Sequence, residues 1–170
     1  SGDELIESYV SNLYEKMLKA SESAILDLKE SSVYVGEGKA EKVAFIRRFL
    51  MKDGSIMTNP GVNNPDIVSP VGDVDERVHT VRFCREDGDI LFFSFGNHPD
   101  TISGNKLSAD WPGISRRYIE AERKNTRCIF ATGAAGDVNH INVHPIKQLV
   151  EGRSSGYPYA EHIGRVVADA

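Results

Sequence analysis

The chain has 170 residues, 40% hydrophobic and 26% charged, which suits one domain with a sizeable core and is far from the composition of a disordered segment. Its formal charge of -5, with acidic and basic residues interspersed, argues against a nucleic-acid partner, which needs a basic face. The longest apolar runs, such as Ile90 to Phe95, fall well short of the roughly 20 residues of a transmembrane helix, and no signal-peptide pattern stands at the first residues.

Taken in order, Ile6, Tyr9, Val10, Leu13, Met17, Ala20, Ala24 and Leu28 recur at steps of three and four, which predicts an amphipathic helix from about Asp3 to Leu28. Its stripe is expected to cover one face of a sheet. Ser32 to Gly38 (SVYVGEG) is rich in β-branched and aromatic residues and ends in glycine, so it reads as a short strand. Lys42 to Met57 places an apolar run before Asp53-Gly54, a dipeptide suited to a hairpin turn. Arg47 and Arg48 interrupt that run, and strand alternation would send one to each face. Thr58 to Asp75 carries Pro60, Pro65 and Pro70 with no helical period and is read as a long loop, with Asn63 to Asp66 as turn chemistry.

Val78 to Cys84 and Ile90 to Phe95 flank Glu86-Asp87-Gly88-Asp89, a second hairpin signal. Asp110-Trp111-Pro112-Gly113 reads as a helix start, with Asp110 as candidate cap and Pro112 tolerated in the first turn. Arg127 to Thr132 is another buried strand, and Tyr159 to Ala170 has helical spacing in Ile163, Val166 and Val167. Cys84 and Cys128 fall inside strands without a metal-type spacing and read as buried thiols. Hairpins mixed with the strand-helix-strand passage from Ile90 to Thr132 predict an α/β fold: a mixed β-sheet with β-hairpins and packing helices, in a single domain over 1–170.

Two of the predicted strands end abruptly in polar residues, where ligands bind in open α/β sheets. The first delivers Gly96, Asn97, His98 and Asp100; the second delivers Gly136, Asp137, Asn139, His140 and His144. Imidazole and carboxylate are zinc ligands, although no tight ligand spacing occurs, and a lone histidine such as His98 also serves as a hydrogen-bonded structural residue. Ser108 reads as nucleophile or as cap. Asp137 either ligates or orients its loop, and the small residues Gly133 to Gly136 either offer backbone donors to an oxyanion or permit close packing.

The ordered stretches RRFLMKDGSIMTNPG, NNPDIVSPVGDVDERVHTVRF, FGNHPDTISGNKLSADWPG and IFATGAAGDVNHINV resemble the neutral/alkaline non-lysosomal ceramidase family, in the N-terminal catalytic domain of its bacterial members. The resemblance runs from about Ala44 to Val143. It implies a zinc amidohydrolase that cleaves an N-acyl, ceramide-like bond, with a lipid-like amide as substrate and export from the cell. It makes His98 the family's second zinc histidine and Arg47 the substrate-facing arginine, with Arg48 as the one-residue alternative. Gly136 to Asn139 (GDVN) matches the family's Gly-Asp-Val-Ser loop, so Asp137 and Asn139 take the catalytic positions and Gly136 the substrate side. Asparagine cannot act as an alkoxide nucleophile, whereas a metal-activated water can act without it.

The family's remaining zinc ligands lie outside the matched stretches. A partial catalytic domain is therefore expected, without tight zinc binding or activity by itself. The alternatives are a non-catalytic ligand-binding domain that keeps the fold, motivated by Asn139, and a zinc hydrolase of a different amide.

Overall fold

The computed structural model describes residues 2–144 and 155–170, which form two compact units, 1–31 and 32–170. The first unit is helix α1 (Gly2–Leu26), with Asp3 and Glu4 in the first turn, where acidic side chains oppose the positive end of the helix dipole. The periodicity predicted this helix to within two residues at its C-terminal end. None of its residues is buried.

The second unit holds strands β1 (Ser32–Lys39), β2 (Phe45–Ile46), β3 (Arg48–Met51), β4 (Ile56–Thr58), β5 (Ile67–Pro70), β6 (Arg77–Cys84) and β7 (Asp89–Phe95), then helix α2 (Asp110–Glu122), strands β8 (Thr126–Thr132) and β9 (Val138–Asn139), and helix α3 (Tyr157–Asp169). The main sheet has the order β1-β6-β7-β8. Its first three strands are antiparallel, and β7 and β8 run parallel because α2 carries the chain back between them. With a three-stranded sheet (β4-β3-β5) and the β2-β9 pair, this is the mixed α/β architecture predicted, with no closed barrel among the described residues.

The core lies on the helix-bearing face of the main sheet. Phe93 and Cys128 share that face with Phe130, and Trp111 and Ile114 of α2 and Ile163 and Val167 of α3 join them in one cluster. Trp111 meets Phe95 and Phe130 edge-on, at ring centroid separations of 5.8 and 5.0 Å. On the opposite face, the register aligns Val33 with Phe83, Phe83 with Ile90, and Phe92 with Ile129. Val33, Val35, Phe83 and Ile129 are exposed there.

The Asp53-Gly54 hairpin forms as predicted, with Gly54 at φ 82°, joining β3 to β4. The long loop does not survive intact. Ile67 to Pro70 pairs with β3 as β5, its register shifted between Leu50 and Met51, so proline content concealed a short edge strand. Asp110 does not cap α2 from outside. Ala109 holds the cap position, and Asp110 stands in the first turn at φ 49°, its carboxylate accepting the N–H groups of Trp111 and Ile102, both at 2.7 Å.

Candidate active site

The ends of β7 and β8 come together closely. Gly133 N–H donates to the Phe95 carbonyl at 3.0 Å. A Cβ on Gly133 would sit 3.1 Å from Gly96 N, and one on Gly96 would sit 3.1 Å from the Ala134 carbonyl oxygen. Two glycines are therefore needed where the two polar loops diverge. The small residues of Gly133 to Gly136 here permit packing at the first glycine, whereas a Cβ on Gly136 would enter open space.

His98 follows on the first loop. Its Nδ1 lies 2.8 Å from the Val138 carbonyl oxygen on β9. A carbonyl only accepts, so Nδ1 carries a proton, and in the neutral ring Nε2 keeps its lone pair, the arrangement by which a backbone carbonyl orients a metal-binding or basic imidazole. The loop is held on both sides of this ring. Asn97 is fully buried and donates its amide to the Val43 carbonyl at 3.1 Å, and the Trp111 indole N–H donates to the His98 carbonyl at 3.2 Å. Asn97 Oδ1 and Thr101 Oγ1 are buried without a partner among the described residues.

The second loop is fastened to the arginine pair. Arg47 falls between β2 and β3, so strand alternation does not apply to it, and both arginines turn to the same loop rather than to opposite faces. Arg47 donates its backbone N–H to the Asp137 carbonyl at 3.0 Å and a guanidinium N–H to the Gly136 carbonyl at 2.7 Å. Arg48 Nε donates to Asp137 Oδ1 at 2.6 Å. That hydrogen bond, more than the charge alone, holds the Asp137 carboxyl below its ordinary range. Asp137 is thus committed to Arg48, and of the two arginines Arg47 is the one that lies along the open Gly136 backbone.

Asn139 is buried and occupied at both ends of its amide. Its Nδ2 donates to Asn59 Oδ1 at 2.9 Å, and its Oδ1 accepts the Ile141 N–H at 3.0 Å. The contact with Asn59, at φ 49° beside Pro60, was not anticipated, since an Asn-Pro dipeptide signals a local turn and not a partner 80 residues away. His140 is buried, with Nδ1 2.9 Å from Asp100 Oδ1, and His144 is exposed. Ser108 Oγ accepts the Asp110 N–H at 3.0 Å, the cap-like role rather than a nucleophile's. Beside the β2-β9 pair, Phe45, Ile46, Phe49, Val74 and Val143 line a mainly apolar cleft of about 290 Å³.

The site therefore brings His98, Arg47, Gly136, Asp137 and Asn139 to the two strand ends and ties them through β9. Among the described residues, no group of three or more His, Cys, Asp or Glu side chains is placed to hold a metal ion. The donor chemistry fits zinc at one position, His98 Nε2, and not as a complete centre.

A mixed α/β sheet with polar loops at the ends of its two parallel strands defines an α/β protein with its candidate site at the sheet edge. Among solved structures the chain is similar in fold to neutral ceramidase from Pseudomonas aeruginosa, with a TM-score of 0.61 and 16% identity, over 89% of this chain and 23% of that one. A ceramidase complexed with C2 gives the same TM-score of 0.61 and 16% identity, over 87% of this chain and 22% of that one. The chain thus spans less than a quarter of the length of the solved ceramidases it matches. No protein-family model matches the chain, and no curated protein matches it in sequence.

Proposed function

We propose that this chain forms one wall of an amide-hydrolase site of the ceramidase type, acting on an N-acyl, lipid-like amide. The observation that carries the reading is the fold shared with neutral ceramidase over 89% of the chain. The disposition of His98 supports it, with Nδ1–H spent on Val138 and the Nε2 lone pair left for a ligand.

Zinc fits His98 Nε2 as one donor of a tetrahedral set whose other members this chain does not bring together among its described residues. When bound, the metal would supply carbonyl polarisation and an activated water. The chain's own residues do the rest of what can be assigned. Arg47, anchored on Gly136, orients a substrate oxygen beside the loop, and the Arg48–Asp137 pair fixes that loop's position. The apolar cleft beside β2 suits an acyl chain. Asn139 is not the nucleophile, since its amide is engaged with Asn59 and Ile141 and has no ionisable proton to lose at neutral pH.

The test measures zinc content and hydrolysis of a fluorogenic N-acyl sphingoid amide by the chain joined to the residues that supply the other ligands, with and without His98→Ala. Loss of zinc and of hydrolysis in the variant is expected; stoichiometric zinc with unchanged hydrolysis would sink the role of His98. Asn139 in place of a reactive serine favours a second reading, a ligand-binding domain without chemistry. Binding of the amide without turnover in the zinc-loaded protein would decide for it.

A further inference from the structure

The two polar loops are joined by a reciprocal pair of histidine links. His98 reaches across from the first loop to the Val138 carbonyl at 2.8 Å, and His140 reaches back from the second loop to the Asp100 carboxylate at 2.9 Å. Each link spans 40 residues of sequence, and the two run in opposite directions between the same two segments. His98 and Asp100 are separated by Pro99 alone, and Val138 and His140 by Asn139 alone. The four groups thus close a small ring of which the His98 imidazole is one side.

The two links differ in what backs them. His140 is 4% exposed; its carbonyl accepts the Tyr159 hydroxyl at 3.1 Å, and its ring lies 5.8 Å from that of Tyr159. It is therefore held from α3 and serves as the fixed post. Asp100 is 52% exposed at its side chain, and His140 ties that carboxylate to the second loop, while the backbone just beyond it is held separately by the Gly156 N–H on the Thr101 carbonyl at 2.8 Å. His98 in turn is only partly buried, and among the described residues its ring makes one hydrogen bond. A single bond to a carbonyl fixes the tautomer only while the donor stays in reach.

We propose that His140, acting through Asp100, is a positioning residue for His98. By holding the loop two residues beyond His98 against β9, it keeps the imidazole within reach of the Val138 carbonyl, with Nδ1 protonated and Nε2 presented as a lone pair. The use of that lone pair as a zinc donor rests on the function proposed above; the positioning itself does not.

Long-range proton-nitrogen NMR correlation of the histidine rings in the metal-free 170-residue chain, at one fixed pH, reads the tautomer directly. The unsubstituted chain is expected to give His98 as a single Nδ1–H tautomer. His140→Leu and Asp100→Ala are each expected to lose that single pattern, with His98 passing to averaged tautomers. His140→Asn, whose amide N–H stands near the place of the Nδ1–H, is expected to restore it. A purely structural role for His140 would not distinguish Asn from Leu in the His98 signals.

A single Nδ1–H tautomer that persists in folded His140→Leu or Asp100→Ala would overturn the proposal. Should His140→Leu fail to fold, Asp100→Ala decides, because its side chain is half exposed. The measurement uses neither metal nor substrate. Loss of the tautomer pattern in a protein that proves to hydrolyse no amide would leave the positioning intact and refute only the hydrolase reading.

Discussion

The chain's single tryptophan, Trp111, donates its indole N–H to the backbone carbonyl of His98 at 3.2 Å, so the helix that fills the core also holds the residue at the centre of the site. The bond uses the His98 main chain, not its ring. His98→Ala is therefore expected to keep the native, blue-shifted emission of Trp111, and lost function in that variant then reports chemistry rather than unfolding. Trp111→Phe, which loses the bond and part of a fully buried ring, is expected to cost about 1–3 kcal/mol in a denaturant titration.

Helix α3 crosses α2 at Gly164, where an added Cβ would lie 2.6 Å from Ile114 Cγ2 and 3.1 Å from the Trp111 carbonyl oxygen. Alanine gains about 1 kcal/mol of helix propensity over glycine. Overpacking in a filled core costs about 1–3 kcal/mol, so the second effect wins. Gly164→Ala should lower the melting temperature by a few degrees, and a rise would show that the two helices separate easily.

Asn139→Ser removes the donor to Asn59 Oδ1. One lost hydrogen bond at a buried residue costs about 1 kcal/mol, which at this chain length lowers the melting temperature by about 2–4 °C. Calorimetry of this variant beside Asn59→Ala measures the link; no coupling between the two substitutions would mean that the amides do not support each other.

The depressed carboxyl of Asp137 makes stability depend on pH. A carboxylate whose folded pKa lies below its unfolded value, near 3.9, contributes stability that is fully present above that value and is lost as pH falls through the folded pKa. Acidification is thus expected to lower the urea midpoint more in the unsubstituted chain than in Asp137→Asn. Both side chains are partly exposed, so the difference is small, and parallel pH profiles would show that the pair adds nothing.

Burial pushes the Cys128 thiol up to about 11, with Glu120 adding to the shift. Thiolate is the reactive form, so Cys128 is expected to resist a thiol reagent at neutral pH until the chain unfolds, while the less buried Cys84 reacts in the folded state. Rapid modification of both would contradict the packing of β8 under α2.

The elements with strong local signals were legible in the sequence. The three-four spacing found α1, the Asp53-Gly54 and Gly88 turns found the hairpins, and the passage from Ile90 to Thr132 was read as the strand-helix-strand unit that it is. Strand β5 was hidden because its pairing with β3 is a long-range event that a proline-bearing segment does not announce locally. The site was legible as two polar loops at one sheet edge. Its internal wiring was not, since Arg48–Asp137, Asn59–Asn139 and Asp100–His140 join residues 40 to 89 positions apart, and no local pattern encodes such partners.

The apolar face of the main sheet opposite α2 and α3 has an energetic meaning. Burial stabilises in proportion to the apolar area withdrawn from water, and Val35, at 82% exposed, and Val33, at 56%, withdraw little of theirs. Threonine at either position keeps the β-branched shape that the strand prefers, so folding free energy should change by less than about 0.5 kcal/mol. That face can therefore be rewritten toward polar residues almost independently of the core behind it, which gives a route to better-behaved material while the two site loops keep their geometry.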